Sequence, residues 1–200
     1  MRDKESSRPG RPRSFDVETA LMVGERLFHE RGFDGVSLSD LTCALGIAAP
    51  SFYAAFGSKA DFFQLILNRY AETALSIDEF IVPEDPIAAA IEKFLIARAV
   101  SYSEDAVTKG CLVLDATQNC SDVDAAATAE QLAEGGRVRI RELVATSRPD
   151  IAEPVSDLVA SVTHGLSTHA RQGWSTERLV SVARNAALAV RIMTERSNPA

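Results

Sequence analysis

The chain has 200 residues, 46% of them apolar, enough for one or two compact units with a real hydrophobic core; it has no run long enough to span a membrane and a polar N-terminus unlike a signal peptide, so a cytoplasmic location is the default. Three cysteines, Cys43, Cys111 and Cys120, form an odd, unpatterned set that argues against a disulfide framework. The net charge of −7 excludes a uniformly basic nucleic-acid coat, but the charge is unevenly spread: residues 1–14 carry +3, leaving −10 on the remainder.

In chain order, residues 1–13 read as a flexible basic arm around Arg8-Pro9-Gly10-Arg11-Pro12-Arg13. Its two prolines keep it extended and out of the first helix. An extended ribbon presenting Arg11 and Arg13 fits a narrow, electronegative minor groove. A first helix is expected from Asp16 to Arg31, with Val17, Ala20, Leu21, Gly24, Leu27 and Phe28 as its apolar stripe. Ser37 and Asp40 then form a Ser-x-x-acid helix start ahead of Leu38, Leu41, Ala44 and Leu45, and Gly46 stops that helix after two turns. Pro50 opens a second short helix carrying Phe52 and Phe56 on one side and Tyr53 on another. Two stubby helices about a glycine turn, over roughly residues 37–56, predict a helix-turn-helix. Ser58 and Asp61 repeat the start signal for a long fourth helix through Phe62, Phe63, Ile66, Leu67 and Tyr70, continuing to about Ile77.

The rest shows no strand-like alternation. Asp85-Pro86 reads as a helix start leading through Ile91, Phe94, Arg98 and Tyr102, and a short helix is expected from Cys111 to about Asn119. Ser121 and Asp124 open a long helix ending near Thr146. Pro154 opens another to about Gln172, and Ser175 caps a last one to about Met193. The fold class is therefore all-α, with about nine helices.

The stretch Asp40, Leu41, Leu45, Gly46, Ile47, Ser51, Phe52, Tyr53, Phe56, Ser58, Lys59 and Phe62, together with Ala20, Leu27, Phe28 and the turn Arg31-Gly32-Phe33, resembles the TetR family of transcriptional regulators. The resemblance implies a DNA-binding head over residues 14–73 and an effector-binding and dimerisation body over 74–200, joined by the fourth helix. It also implies a dimeric repressor released from a palindromic DNA operator by a small-molecule effector. Resemblance places Ala49, Pro50, Ser51 and Tyr53 at or near the DNA face, with Ala54 and Ala55 beside them. That face lacks bidentate donors, so direct readout would lean on thymine methyls and the Ser51 hydroxyl. Ser37 and Ser39 are further candidates, and the Tyr53 hydroxyl and Lys59 read as phosphate clamps. Phe52 and Phe56 read as core.

Candidate effector-lining groups are Tyr70, Phe94, Arg98, Tyr102, Asp115, Asn119 and His164, though each also has a plain packing role. The expected homodimer interface joins about Pro154–Gln172 and Thr176–Met193 through Val155, Leu158, Val162, Leu166, Leu179, Val182, Ala183, Ala186 and Val190; a monomer core explains the same stripes. Two rivals remain. A metal- or redox-responsive regulator would use Cys111 and Cys120 with His164 and His169, yet at about 100° per residue a nine-residue spacing turns the two cysteines to opposite sides of a helix, and no clustered ligand spacing is present. A helical enzyme would need a nucleophile, phosphate-loop or metal motif, and none is found. No cofactor or metal is expected.

Overall fold

The computed structural model describes residues 16–195. The head begins with α1 (Val17–Arg31), whose first turn is fastened by Asp16: its carboxylate accepts the Glu18 amide at 3.2 Å and the Thr19 hydroxyl at 2.5 Å. Two short helices follow, α2 (Leu38–Leu45) and α3 (Ala49–Phe56), with Gly46 between them at φ +65°, a conformation that glycine adopts without strain. α4 (Lys59–Thr73) starts on a reciprocal capping box in which Ser58 and Asp61 satisfy each other's backbone amides.

Eight-residue helices are too short to be stable alone, and a cluster of phenylalanines holds these two. Phe28, Phe33, Phe52, Phe56, Phe62 and Phe63 are all buried. Phe62 is central, its ring centroid 4.4 Å from Phe56, 5.2 Å from Phe52 and 6.4 Å from Phe28. α1 and α4 cross closely at Gly24: a Cβ there would lie 2.5 Å from the Phe62 ring and 2.7 Å from Ile66. Arg69 closes the far end of the crossing, reaching Glu18 and Glu25 at 2.6 Å each.

The body comprises α5 (Ile87–Glu104), α6 (Leu112–Asn119), α7 (Val123–Ala145), α8 (Ala152–Arg171) and α9 (Thr176–Glu195). α5 packs along α9 and α8, α7 along α8, and α6 among α4, α7 and α8. α4 belongs to both halves, packing on α1 in the head and on α7 in the body. Among the described residues there are nine α-helices and no strand, as expected.

Four boundaries differ from expectation. At the start of α7, Asp122 rather than Ser121 is the cap, accepting the Ala125 amide at 3.0 Å, while the Ser121 hydroxyl donates to Asp34. α4 stops at Thr73 rather than Ile77, because Ala74 turns extended and Ser76 starts a 3₁₀ turn (Ile77–Phe80) with its own capping box to Glu79. Pro86 is the residue before α5 rather than its first residue, and Asp85 reaches Lys93 at 3.5 Å instead of capping. α8 begins two residues before Pro154, since a 3₁₀ turn (Pro149–Ile151) delivers the chain already helical.

Candidate nucleic-acid interface and body cavity

The outer face of the head carries the exposed residues Ser39, Pro50, Ser51, Tyr53, Ala54 and Ala55, with Ala49 partly covered. Tyr53 is 54% exposed, whereas Phe52 and Phe56, on the opposite side of α3, are buried. The side facing away from the core is therefore an aromatic hydroxyl among small residues. No side chain caps α3, whose N-cap is Ala48. Pro50 has no N–H, the Ser51 amide donates to the Ala48 carbonyl at 2.9 Å, and the Ser51 hydroxyl has no partner among the described residues.

One expected clamp, Lys59, and one further candidate, Ser37, make contacts of their own. The Ser37 hydroxyl donates to the Asp40 carboxylate and accepts the Asp40 amide at 3.1 Å, so it has no proton left for a phosphate. These Ser37 hydrogen bonds hold the Asp40 carboxyl below its usual range. The Lys59 ammonium lies 3.9 Å over the Phe33 ring and donates to the carbonyls of Phe33 and Val36, both at 3.0 Å. Two of its three protons thus fasten the α1–α2 connection to the start of α4, so its first role is as a strut. Arg11 and Arg13 lie outside the described residues.

The body contains a cavity of about 230 Å³ lined from α4, α5, α6, α7 and α8. Five of the seven expected effector residues line it: Tyr70, Phe94, Arg98, Tyr102 and His164. Burial raises the phenol pKa of Tyr70 and Tyr102, and the neighbouring Cys111 thiol adds to that effect, so both keep their protons. Burial also lowers the His164 pKa, favouring the neutral ring. Asp115 and Asn119 do not reach the cavity. α6 turns Leu112, Val113 and Ala116 inward, which directs Asp115 and Asn119 toward the end of α8, where Asp115 pairs with Arg171 at 3.4 Å and accepts from Asn119 at 3.0 Å. Cys111 and Cys120 sit at opposite ends of α6, Cys111 in the cavity wall and Cys120 beside Asp122. His169 stacks on Trp174 with ring centroids 3.8 Å apart.

The expected dimer residues divide. Val155, Leu166, Leu179, Ala183 and Val190 are at most 1% exposed within one chain, so they form its own core and offer no surface to a partner. Leu158, Val162, Val182 and Ala186 face partly outward, and Gly165 beside them has open space where a Cβ would be. Periodicity had missed Arg137, which reaches Glu134, Glu153 and Asp157 at 2.8–2.9 Å, and the buried His29 at the seam between head and body.

An exposed, braced helix-turn-helix on an all-α body defines a DNA-binding transcriptional regulator. The chain belongs to the tetR family of bacterial regulatory proteins: residues 20–66 match the family model. It is 37% identical over 193 residues to the HTH-type transcriptional repressor BdcR of Escherichia coli (strain K12), covering 96% of this chain and 98% of that protein. The HTH-type transcriptional repressor ComR of the same organism is 27% identical over 188 residues, covering 87% of this chain and 88% of ComR. Among solved structures, the TetR family regulator CifR, a cysteine mutant complexed with 26-bp double-strand operator DNA, matches with a TM-score of 0.69 and 28% identity over 90% of this chain and 99% of its own. No helix among the described residues is long and apolar enough to cross a membrane.

Proposed function

We propose that the protein is a homodimeric repressor that binds a two-fold symmetric operator and is released by a small molecule entering the body cavity. The observation that carries this reading is that α4 serves both ends: Lys59 fastens its first turn to the head, and Tyr70, near its other end, lines the cavity. A ligand that favours one setting of α4 would change the separation of the two heads and so their fit to successive major grooves. The relatives named as repressors and the operator complex of CifR support the repressor part. The test is a footprint and gel shift on the DNA upstream of the gene itself. A symmetric, salt-sensitive footprint is expected; no sequence-specific shift would overturn the reading.

Specificity rests on little side-chain chemistry at α3, so the basic arm is assigned a large share of affinity through minor-groove contact. Removing residues 1–13 is expected to weaken operator binding by at least about tenfold and to flatten its dependence on salt. Unchanged affinity in a fluorescence-anisotropy titration would remove the arm from the account.

For the dimer, the face proposed is Leu158, Val162 and Gly165 of α8 with Val182 and Ala186 of α9. Val162→Asp would place two like, desolvated carboxylates near a two-fold axis. It is expected to weaken dimerisation by at least about tenfold, read by analytical ultracentrifugation. A dimer of undiminished strength would relocate the interface.

A further inference from the structure

The cavity has a chemical bias that packing alone does not require. Among the described residues, three guanidinium groups, Arg98, Arg137 and Arg139, reach its wall, and no carboxylate does. Two of them are already matched: Arg137 by its three acidic partners at 2.8–2.9 Å, and Arg139 by Asp78 at 2.6 Å. Arg98 forms no ion pair among the described residues. One of its terminal N–H groups donates to the Leu75 carbonyl at 2.6 Å, while its Nε is buried without a hydrogen-bond partner. The guanidinium lies 5.2 Å from the Phe94 ring and 5.7 Å from the Tyr102 ring, which fixes it in the wall.

An arginine cannot shed its charge, so partial desolvation without a counter-ion leaves an unmet demand for an anion. The planar fork of donors suits a carboxylate better than any neutral oxygen. Beside it stand the protonated Tyr70 and Tyr102 hydroxyls, which are further donors, and a neutral His164 adds no competing charge. The remaining wall is mostly apolar, including Phe94, Val113, Leu132 and Ile140, with Ser76 and Thr163 as its further polar members. The volume of about 230 Å³ lies below the roughly 300–1,000 Å³ of drug-sized pockets, which limits the occupant to a small molecule.

We infer that the cavity binds a small monocarboxylate with an apolar body, its carboxylate held by Arg98 and its body packed against the apolar wall. The inference that this ligand is also the effector rests on the functional reading above. Benzoate, phenylacetate and hexanoate, with benzamide, phenylacetamide and hexanamide as neutral counterparts, are titrated into the full-length protein by calorimetry and into its complex with the footprinted DNA by anisotropy. At least one carboxylate is expected to bind about tenfold or more tightly than its amide, with Arg98→Gln abolishing that preference and Arg98→Lys keeping part of it. Circular dichroism checks the fold of each variant; should Arg98→Gln fail to fold, Tyr70→Phe is expected to weaken the carboxylate severalfold and leave its amide unchanged. Amides that bind as well as the acids, binding of the acids that persists unchanged in a folded Arg98→Gln protein, or no binding by any of the three acids overturns the site. A carboxylate that binds through Arg98 without releasing DNA supports the site and removes the effector reading instead. A neutral compound that releases DNA while the acids do not bind overturns the carboxylate and leaves the effector reading in place.

Discussion

Phe62→Ala is expected to destabilise the protein by about 3–5 kcal/mol and to abolish operator binding, because it empties the centre of the cluster on which both short helices rest. Phe62 is fully buried, and its ring lies against Phe28 of α1 and against Phe52 and Phe56 of α3. The surrounding rings cannot collapse into the gap without moving α3, whose inner face consists of Phe52 and Phe56. A domain of this size has only about 5–15 kcal/mol of stability in total, so the loss is a large fraction of it. Urea unfolding should show a lower midpoint at unchanged slope. A loss below about 1 kcal/mol would mean that α3 is held by something other than the aromatic cluster.

Stability is also expected to fall by about 3 kcal/mol as pH drops from about 6.5 to about 4, because of His29 alone. His29 is buried on α1, edge-on to Tyr70 with ring centroids 5.8 Å apart. Burial lowers its pKa to about 4, and the positive charge of Arg171 adds to that effect. A histidine in the unfolded chain titrates near the ordinary 6.5, so between the two values the unfolded state binds more protons and folding weakens as pH falls. The contribution is fully present above about pH 6.5 and gone below about pH 4. Urea midpoints measured through this range should fall more steeply for the wild type than for His29→Gln. Asp40, Asp61 and Asp78, whose carboxyls are held below their usual range by hydrogen bonds, contribute their own losses only at lower pH, and the variant retains them. Equal slopes in the two proteins would show that His29 is not buried in its neutral form.

The head was legible because its signals are local. Ser37 with Asp40 and Ser58 with Asp61 announce helix starts within four residues, and Gly46 announces the stop. Helical spacing alone separated Tyr53 from Phe52 and Phe56, and the family resemblance set it outside. The body was less legible because its determinants are distant in sequence. The stripes on α8 and α9 each serve the chain's own core, with a second apolar flank beside it; no local rule separates Val155 from Leu158, three residues apart. The bracing role of Lys59 was hidden for the same reason: its partners are the carbonyls of Phe33 and Val36, more than twenty residues earlier. Asp115 and Asn119 were misplaced because the orientation of an eight-residue helix depends on which neighbours cover it. Arg98 and Tyr102 were found from one helical face, but that Arg98 has no acidic partner among the described residues became visible only from the positions of their carboxylates.

The Gly24 crossing and the paired contacts of Arg69 leave α1 and α4 little room to slide past each other, so a swing of α4 would carry α1 with it. At 1.5 Å of rise per residue, this 15-residue helix is about 22 Å long. Pivoting it by about five degrees at the cavity end carries its other end through about 2 Å, by the same rise. In a symmetric pair both heads would make that excursion in directions related by the two-fold axis, so the gap between them would change by up to twice as much. A displacement at Tyr70 too slight to disturb packing would thus be enlarged by leverage alone into one that a stiff duplex registers.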